Sequence, residues 1–408
     1  MNRENKFLIN GISKIVLFFP FIFCYDYISR ADEMLSDGSK LAHPICHFFR
    51  RTEMSKMRTT KISALLCGLM LLSLSLGGCT KQAEKAVEPQ KAVYFTYFDT
   101  VTYVYSYAGD SADSFSHNLE TVTAVLDDYH KLLDIYNAYD GLNNLYTVNE
   151  NAGGEPVKVD KRLIDFLLYA RTMYEKTNGR MNVMMGSVLR LWHDCREEAE
   201  QDASAAHLPD AEALQEAAQH MNISALEIDA ENCTVRIADE KALLDVGALG
   251  KGYAVERAAE ALESANVSGY VLNVGGNLRY LGTKADGTGW VTGVREPSGE
   301  GDTLAAKLVL SDVSCVTSGV YERYFTVDGQ RYHHIIDPDT LYPADYCLSL
   351  TVVTKDSGYA DALSTALFCM SYEEGKALLE ALSDAEALWI FADGSVKMTD
   401  GMAAYIQE

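Results

Sequence analysis

The stretch LLDVGALGKGYAVERAAEAL, residues 243–262, runs from an apolar, strand-like segment through a glycine-rich turn into an amphipathic helix. A glycine-rich turn that opens a helix is a common phosphate-binding arrangement. A P-loop, however, needs Gly-x-x-x-x-Gly-Lys-Ser/Thr, whereas here Asp245 stands five residues before Gly250, and Gly252 follows Lys251. The dinucleotide pattern Gly-x-Gly-x-x-Gly is absent as well. Two interpretations remain: a helix start without chemistry, or an anion site of another kind.

Lys251 favours the anion site. The positive end of the helix dipole lies at the N-terminus of a helix and disfavours a cation there unless an anion is nearby. The apolar positions account for the packing of the helix but not for this lysine; they are Tyr253, Val255, Ala258, Ala259 and Leu262. The turn therefore offers a ligand one acid (Asp245), free backbone carbonyls and one lysine.

The remaining sequence predicts an α+β fold: a single domain of largely antiparallel sheet with flanking helices. Strand-like segments follow one another through short turns, which is typical of antiparallel pairing. We expect a strand across residues 94–108 and a pair of surface helices within 196–221. Further helices are expected at 115–137, 161–176, 359–370 and 373–383.

The N-terminal region resembles a bacterial lipoprotein signal. Residues 57–79, MRTTKISALLCGLMLLSLSLGGC, have a basic start, an apolar run and small residues before Cys79. A transmembrane anchor is the alternative, but it normally needs about 20 apolar residues. We expect translation to begin at Met54 or Met57, and an extracytoplasmic protein held at the membrane by lipidated Cys79. The expected divisions are a non-native extension (1–56), a signal peptide (57–78), a tether (79–92) and one folded domain (93–408).

Composition narrows the possible partners and cofactors. The chain has 408 residues and a formal net charge of −23, which would repel a nucleic-acid backbone. We therefore expect no nucleic acid as a partner. Five cysteines follow the signal, widely spaced and without a CxxC pair, so they are most simply interpreted as buried small hydrophobic residues.

A second segment, SGYADALSTALF, predicts a metal site. Asp361, Ser364 and Thr365 fall at i, i+3 and i+4, which places three oxygen-bearing side chains on one face of a helix. Hard oxygen ligands of this kind suit Mg²⁺, usually together with phosphate oxygens of a substrate. The alternative is an acid near a helix N-terminus with two neutral hydroxyls.

A third segment, RYHHIIDPDT, carries two adjacent histidines on a predicted strand before an Asp-Pro turn. Neighbouring strand residues point to opposite faces, so at most one of His333 and His334 faces a given site. We choose His334 as the candidate general base because it directly precedes the Ile-Ile-Asp-Pro turn.

Five ordered motifs resemble the FAD:protein FMN transferase family, also called the ApbE family, over about residues 94–407. They are LLDVGALGKGYAVERAAEAL, VLNVGGNLRYLG, VTSGVYERYF, YHHIIDPDT and ADALSTALF. The resemblance implies a T-fold-like core and a Mg²⁺-dependent reaction. In that reaction FMN passes from FAD to a Thr or Ser hydroxyl of another extracytoplasmic protein, and AMP is released.

The resemblance also implies roles for individual residues. The carbonyl of Ala248, together with Asp361 and Thr365, would bind Mg²⁺. The chemistry of phosphoryl transfer, not the resemblance, assigns the catalytic roles to Lys251 and His334. FAD would contact a second set of residues: Phe98, Tyr139, Met184, Met185, Asp245, Lys251 and Ile335. An FAD pyrophosphatase and a flavin-storing lipoprotein remain as alternatives.

Four segments depart from the family pattern. Many members have Asp-x-Thr where this chain has Asn182-Val183-Met184, and many have a second acid where it has Ser364. Phe98-Asp99-Thr100 stands where Met-Gly-Thr is frequent, and Asn277 replaces a common Asp. With one carboxylate fewer, the site would hold Mg²⁺ less tightly.

Overall fold

The computed structural model describes residues 88–297 and 303–407. The expected extension, signal peptide, Cys79 and most of the tether lie outside these ranges. Within them, none of the helices has the length and apolar character needed to cross a bilayer. The first strand begins at Gln90, three residues before the domain start expected from the sequence.

Fifteen strands and eight helices organise the described residues. The strands are β1 (Gln90–Tyr97), β2 (Thr100–Ser106), β3 (Val157–Lys158), β4 (Leu226–Asp229), β5 (Thr234–Ile237), β6 (Tyr270–Val274), β7 (Asn277–Leu281), β8 (Trp290–Arg295), β9 (Leu304–Leu310), β10 (Ser314–Gly319), β11 (Tyr324–Val327), β12 (Gln330–His333), β13 (Ser349–Thr354), β14 (Ala385–Ile390) and β15 (Val396–Met398). The helices are α1 (Ala112–Leu132), α2 (Leu145–Glu150), α3 (Lys161–Lys176), α4 (Gly186–Gln201), α5 (Ala211–Ala218), α6 (Gly250–Ser264), α7 (Ser357–Phe368) and α8 (Tyr372–Leu382).

The main sheet has eight strands in the order β1-β2-β6-β7-β10-β13-β14-β15, and every neighbouring pair is antiparallel. This confirms the predicted α+β class. Helices α1, α3, α6 and α7 share one large apolar core, and the ribbon β8–β9 packs a second core around Trp290. Strand β13 has all six residues buried, as expected for a strand covered on both faces.

The strand expected across residues 94–108 is a hairpin instead. β1 and β2 pair through a two-residue turn at Phe98 and Asp99, whose φ angles are 53° and 49°. Both central residues have positive φ in the hairpin turns that match strand twist, and glycine or asparagine usually occupies them. The sequence conceals the turn because a bulky Phe and an Asp take these positions, in a conformation that is costly for a bulky side chain.

Helix α1 ends five residues earlier than the apolar periodicity predicts. The Asp134 carboxylate accepts hydrogen bonds from the backbone N–H groups of Tyr136 at 2.7 Å and Asn137 at 3.0 Å. An aspartate that bonds to the backbone two and three residues ahead builds a turn that competes with the helix. The chain therefore leaves the helix and turns toward α2.

Helices α6 and α7 touch at Gly252. A Cβ built on this glycine would lie 2.3 Å from the Ser357 carbonyl oxygen and 2.5 Å from the Asp361 Cβ. Only glycine therefore fits this crossing. Helix α7 is buried along nearly its whole length, so it has little freedom to move away.

We expect Gly252→Ala to lower the free energy of unfolding by about 1–3 kcal/mol, because overpacking at a backbone contact forces α6 and α7 apart. The matched control is Gly250→Ala on the same helix, where the nearest atom is a flexible Leu133 methyl at 3.3 Å. That control should be neutral or slightly stabilising, since Ala favours helix over Gly by roughly 1 kcal/mol. Urea denaturation measures both; equal losses would contradict the close-contact argument.

Candidate active site

The glycine-rich turn and the start of α6 form a compact polar cluster. The Asp245 carboxylate accepts the Gly247 N–H at 2.9 Å, and Lys251 Nζ donates to the Gly247 carbonyl at 3.0 Å. Lys251 Nζ also lies 3.6 Å from Asp361 Oδ2. The structure therefore brings together Asp245, Lys251 and Asp361, which the sequence places in two distant segments.

Asp361 is the buried acid of this cluster, with 4% of its surface exposed. Its Oδ2 accepts the Gly252 N–H at 2.9 Å, and the side chain of Asn277 also hydrogen-bonds to the carboxylate. Burial raises the pKa of Asp361, while Lys251, Gly252 and Asn277 act in the opposite direction. A buried carboxylate that is only partly compensated is a suitable ligand for a cation.

Thr365 and Ala248, the two other predicted metal ligands, lie on α7 and in the turn before α6. Thr365 is half-buried and follows Asp361 by one helical turn, so both side chains share a face of α7. Ala248 is half-buried in the turn before α6. Ser364 instead donates to the Asp361 carbonyl at 2.9 Å and accepts from the Ser318 hydroxyl at 3.0 Å, so its hydroxyl is used within the protein.

The two histidines differ in environment, as expected for adjacent residues at a strand end. His333 is buried; its Nε2 donates to the Ala344 carbonyl at 2.9 Å and its Nδ1 accepts the Ile335 N–H at 3.3 Å. His334 is exposed, and its Nδ1 lies 3.3 Å from the Arg323 carbonyl. A carbonyl can only accept, so the proton is on Nδ1 and the lone pair on Nε2.

Cationic side chains from two further elements surround His334. Desolvation by the surrounding protein lowers the pKa of His334. The positive charges of Arg323, Arg196 and Lys251 lower it further. Arg196 on α4 has only 16% of its side chain exposed, and burial followed by the charge of Arg323 lowers its pKa too. Arg323 also donates to the Asp99 carbonyl at 3.4 Å, so the β1–β2 turn borders the same region. No sequence pattern indicates Arg196, and only the ERYF motif offers a signal for Arg323.

A cavity of about 290 Å³ lies beside Asp245. Tyr136 and His193 line it together, with ring centroids 5.5 Å apart, and Tyr136 is 49% exposed. Tyr139, the aromatic residue chosen from the sequence, donates its hydroxyl to Asp134 at 2.9 Å and does not line this cavity. The sequence could not separate two tyrosines three residues apart in one turn.

The other residues assigned to FAD lie in the supporting structure. Met184 and Met185 are buried in a 3-10 turn, and the preceding Val183 carbonyl accepts the Asp245 N–H at 2.8 Å. Ile335 is buried beside the histidines, and its carbonyl accepts the Ala344 N–H at 3.0 Å. The N–H of the half-buried Phe98 donates to His130 Nδ1 at 3.3 Å.

The architecture and this cluster define a class of protein: an antiparallel α+β domain in which a buried acid and a lysine meet at a glycine-rich turn, and two arginines lie near an exposed histidine. A family model described as the ApbE family matches residues 98–389. The chain belongs to the ApbE family, which confirms the resemblance inferred from the five motifs.

Individual relatives agree with this assignment. The FAD:protein FMN transferase of Treponema pallidum is 35% identical over 272 residues, covering 63% of this chain and 73% of that protein. The enzyme of the same name from Klebsiella pneumoniae is 29% identical over 294 residues, covering 70% and 89%.

Solved structures share the fold. The ApbE protein of Thermotoga maritima superposes with a TM-score of 0.69 at 26% identity, covering 79% of this chain and all of the other. The flavin transferase ApbE of Vibrio cholerae superposes with a TM-score of 0.64 at 23% identity, covering 78% and 99%.

We expect His333→Ala to lower the free energy of unfolding by about 1–3 kcal/mol, because it leaves the buried Ile335 N–H and Ala344 carbonyl without their partner. His334→Ala, on the exposed side, should change it by no more than about 0.5 kcal/mol. Denaturant titration of the two variants measures the difference. Equal destabilisation would contradict the distinct environments of the two rings.

Proposed function

We propose that this protein transfers FMN from FAD to a Thr or Ser hydroxyl of a separate extracytoplasmic protein, with Mg²⁺ bound at Asp361, and releases AMP. Membership of the ApbE family and the names of the relatives support flavin transfer from FAD to a protein. The observation that carries the finer proposal is the buried Asp361 carboxylate, 4% exposed, which meets the start of α6 at the Gly252 N–H.

The oxygen donors near Asp361 fit Mg²⁺. The Asp361 carboxylate, the Thr365 hydroxyl and the Ala248 carbonyl would hold the ion, and all three are the hard ligands that Mg²⁺ prefers. The raised pKa of Asp361 supports this fit, because a cation would stabilise the buried carboxylate in its charged form. When bound, Mg²⁺ would neutralise charge on the FAD pyrophosphate.

The remaining chemistry falls to this chain's own side chains. Lys251 would bind a pyrophosphate oxygen, and Arg323 and Arg196 would add positive charge around it. His334 Nε2 carries the free lone pair and would take the proton of the acceptor hydroxyl. The hydroxyl oxygen then bonds to the phosphorus of the FMN moiety while the bond to the AMP phosphate breaks. Positioning and charge neutralisation dominate phosphoryl transfer, which this set of groups suits.

The flavin ring needs an apolar or aromatic surface near the phosphates. The cavity beside Asp245 offers the exposed ring of Tyr136, with the His193 ring tilted against it at 30°. We assign Tyr136 to the flavin site in addition to the residues chosen from the sequence. Aromatic rings stack on planar ligands, and this one is accessible.

The acceptor and the location of the protein follow from the sequence. The chain contains no Ser/Thr-Gly-Ala-Ser/Thr pattern of the kind associated with the family's targets, so the acceptor is a different protein. The lipoprotein-like signal ending at Cys79 would place the enzyme outside the cytoplasm on the membrane, where such an acceptor is reachable.

Incubation with FAD, Mg²⁺ and a candidate acceptor tests the reaction. We expect AMP to appear in proportion to acceptor carrying covalent FMN by intact mass, and Asp361→Asn to lose both products while keeping its thermal midpoint. Free FMN with unlabelled acceptor would establish a pyrophosphatase. FAD binding without AMP release, unchanged in Asp361→Asn, would establish a storage protein.

We expect Lys251→Ala to reduce AMP release at saturating FAD by roughly 100-fold, the usual effect of removing one preorganised charge partner of a transition state. Lys241→Ala is the matched control, because that exposed lysine pairs with Glu216 away from the cluster. Rates for both come from following AMP by chromatography. If Lys251→Ala retained wild-type turnover, the turn would be a helix start without a catalytic role.

A further inference from the structure

A second group of charged residues lies behind the proposed metal and phosphate site, on the same three elements. Helix α6 contributes Gly252 to the site and Glu256 to this deeper group. Strand β7 contributes Asn277 to the site and Arg279 to the deeper group. Helix α7 contributes Asp361 to the site and the Ser357 backbone N–H to the deeper group. Glu256, Arg279 and the Ser357 N–H are called the deeper group below.

The spacing of these residues along the chain shows why the two groups lie next to each other on the same three elements. Residues four apart lie on one face of a helix, and residues two apart lie on one face of a strand. Gly252 and Glu256 are four apart, Asp361 and Ser357 are four apart, and Asn277 and Arg279 are two apart. A contact fixed in the deeper group therefore fixes the separation of the same elements one turn away, at the site.

The contacts of the deeper group are short and shielded from solvent. Glu256 Oε2 accepts the Ser357 N–H at 2.7 Å and lies 3.4 Å from Arg279 Nε. The side chains of Glu256 and Arg279 are only 8% and 6% exposed. Arg279 is held further by Glu263 at 2.8 Å and by the Tyr280 carbonyl at 2.6 Å.

Retaining this acid is costly for the fold. Burial raises the pKa of Glu256 to about 7, against the opposing effects of Arg279 and the Ser357 N–H. An apolar residue could fill the same volume, and replacing a buried ion pair by apolar residues is often neutral or stabilising. Apart from the bond of Glu256 to the first N–H of α7, stability gives little reason for an acid here.

We infer that Glu256 is a positioning residue: through the Ser357 N–H and Arg279 it sets the separation of α6 from α7, and so the geometry at which Asp361, Thr365 and the Ala248 carbonyl meet a divalent cation. The inference rests on the proposed metal site. Glu256 itself touches neither metal nor FAD, and its effect passes through the backbone of α7.

Mn²⁺ is the probe, because its binding to the full chain can be followed directly by electron paramagnetic resonance without any turnover. We expect Glu256→Gln to weaken Mn²⁺ binding about tenfold or more, with folding retained in thermal denaturation. Glu260→Gln is the matched control: it is one turn further along α6, exposed, and paired only with Arg257 among the described ion pairs. The control should bind Mn²⁺ as the wild type does.

Arg279→Gln gives a second, independent measurement if Glu256→Gln fails to fold, because it removes the counter-charge and leaves the Glu256–Ser357 bond in place. It should weaken Mn²⁺ binding in the same direction. In the double variant the losses should fall short of additive, since both residues act through one contact.

Three results would overturn the inference: Mn²⁺ affinity within twofold of wild type in folded Glu256→Gln, equal loss in Glu260→Gln, or no Mn²⁺ binding by the wild type. Failure of the proposed function looks different. In that case the wild type binds Mn²⁺ and responds to Glu256→Gln as described, but releases no AMP from FAD.

Discussion

The crossing of α6 and α7 at Gly252 is the contact on which the candidate site depends. The first turn of a helix leaves N–H groups without intrahelical partners, and Gly252 donates one of them to Asp361 at 2.9 Å. This places a carboxylate of one helix at the positive end of another, where a negative charge is stabilised. Any side chain at position 252 would separate the two helices, so the glycine and the acid form one arrangement.

That arrangement also changes how strongly Lys251 indicates a bound anion. From the sequence, a lysine at a helix start points to a bound anion. The structure supplies an anion from within the protein, because Asp361 lies 3.6 Å from the ammonium group. The lysine alone is therefore weaker support for a phosphate ligand than the sequence suggested, and the stronger support comes from the other cations. Arg323 lowers the pKa of Arg196, and both arginines lower the pKa of His334, so the positive charges lie close together. Such a cluster stands out in a protein of net charge −23. Like charges held together in this way favour an anionic ligand between them.

Local patterns predicted much of the fold. Helix α3 occupies residues 161–176 as its periodicity indicated, and the helices near 359–370 and 373–383 are displaced by only one or two residues. The first of the two helices expected within 196–221 begins ten residues earlier, at Gly186. Two other errors arose where one side chain overrode the pattern. The β1–β2 turn uses Phe98 and Asp99 at positive φ, where the recognisable signal would be Asn-Gly. Asp134 ended α1 by bonding to the backbone ahead of it, although the apolar spacing continued past it.

The site was less predictable because its residues meet across long separations. Gly252 and Asp361 are 109 residues apart, and no periodicity within either helix indicates that they touch. The family resemblance linked Asp361 only to the carbonyl of Ala248, in the turn before α6. Arg196 belongs to no local motif, so only the fold brings it near His334. Once one such contact is known, however, geometry predicts the next. In this structure the helices that meet at positions 252 and 361 also approach at 256 and 357, so the acid at position 256 faces a helix N-terminus rather than solvent. Once one long-range contact is known, the residues one turn away on each helix become the first candidates for the next contact. Sequence spacing is then informative about tertiary structure as well as about each helix.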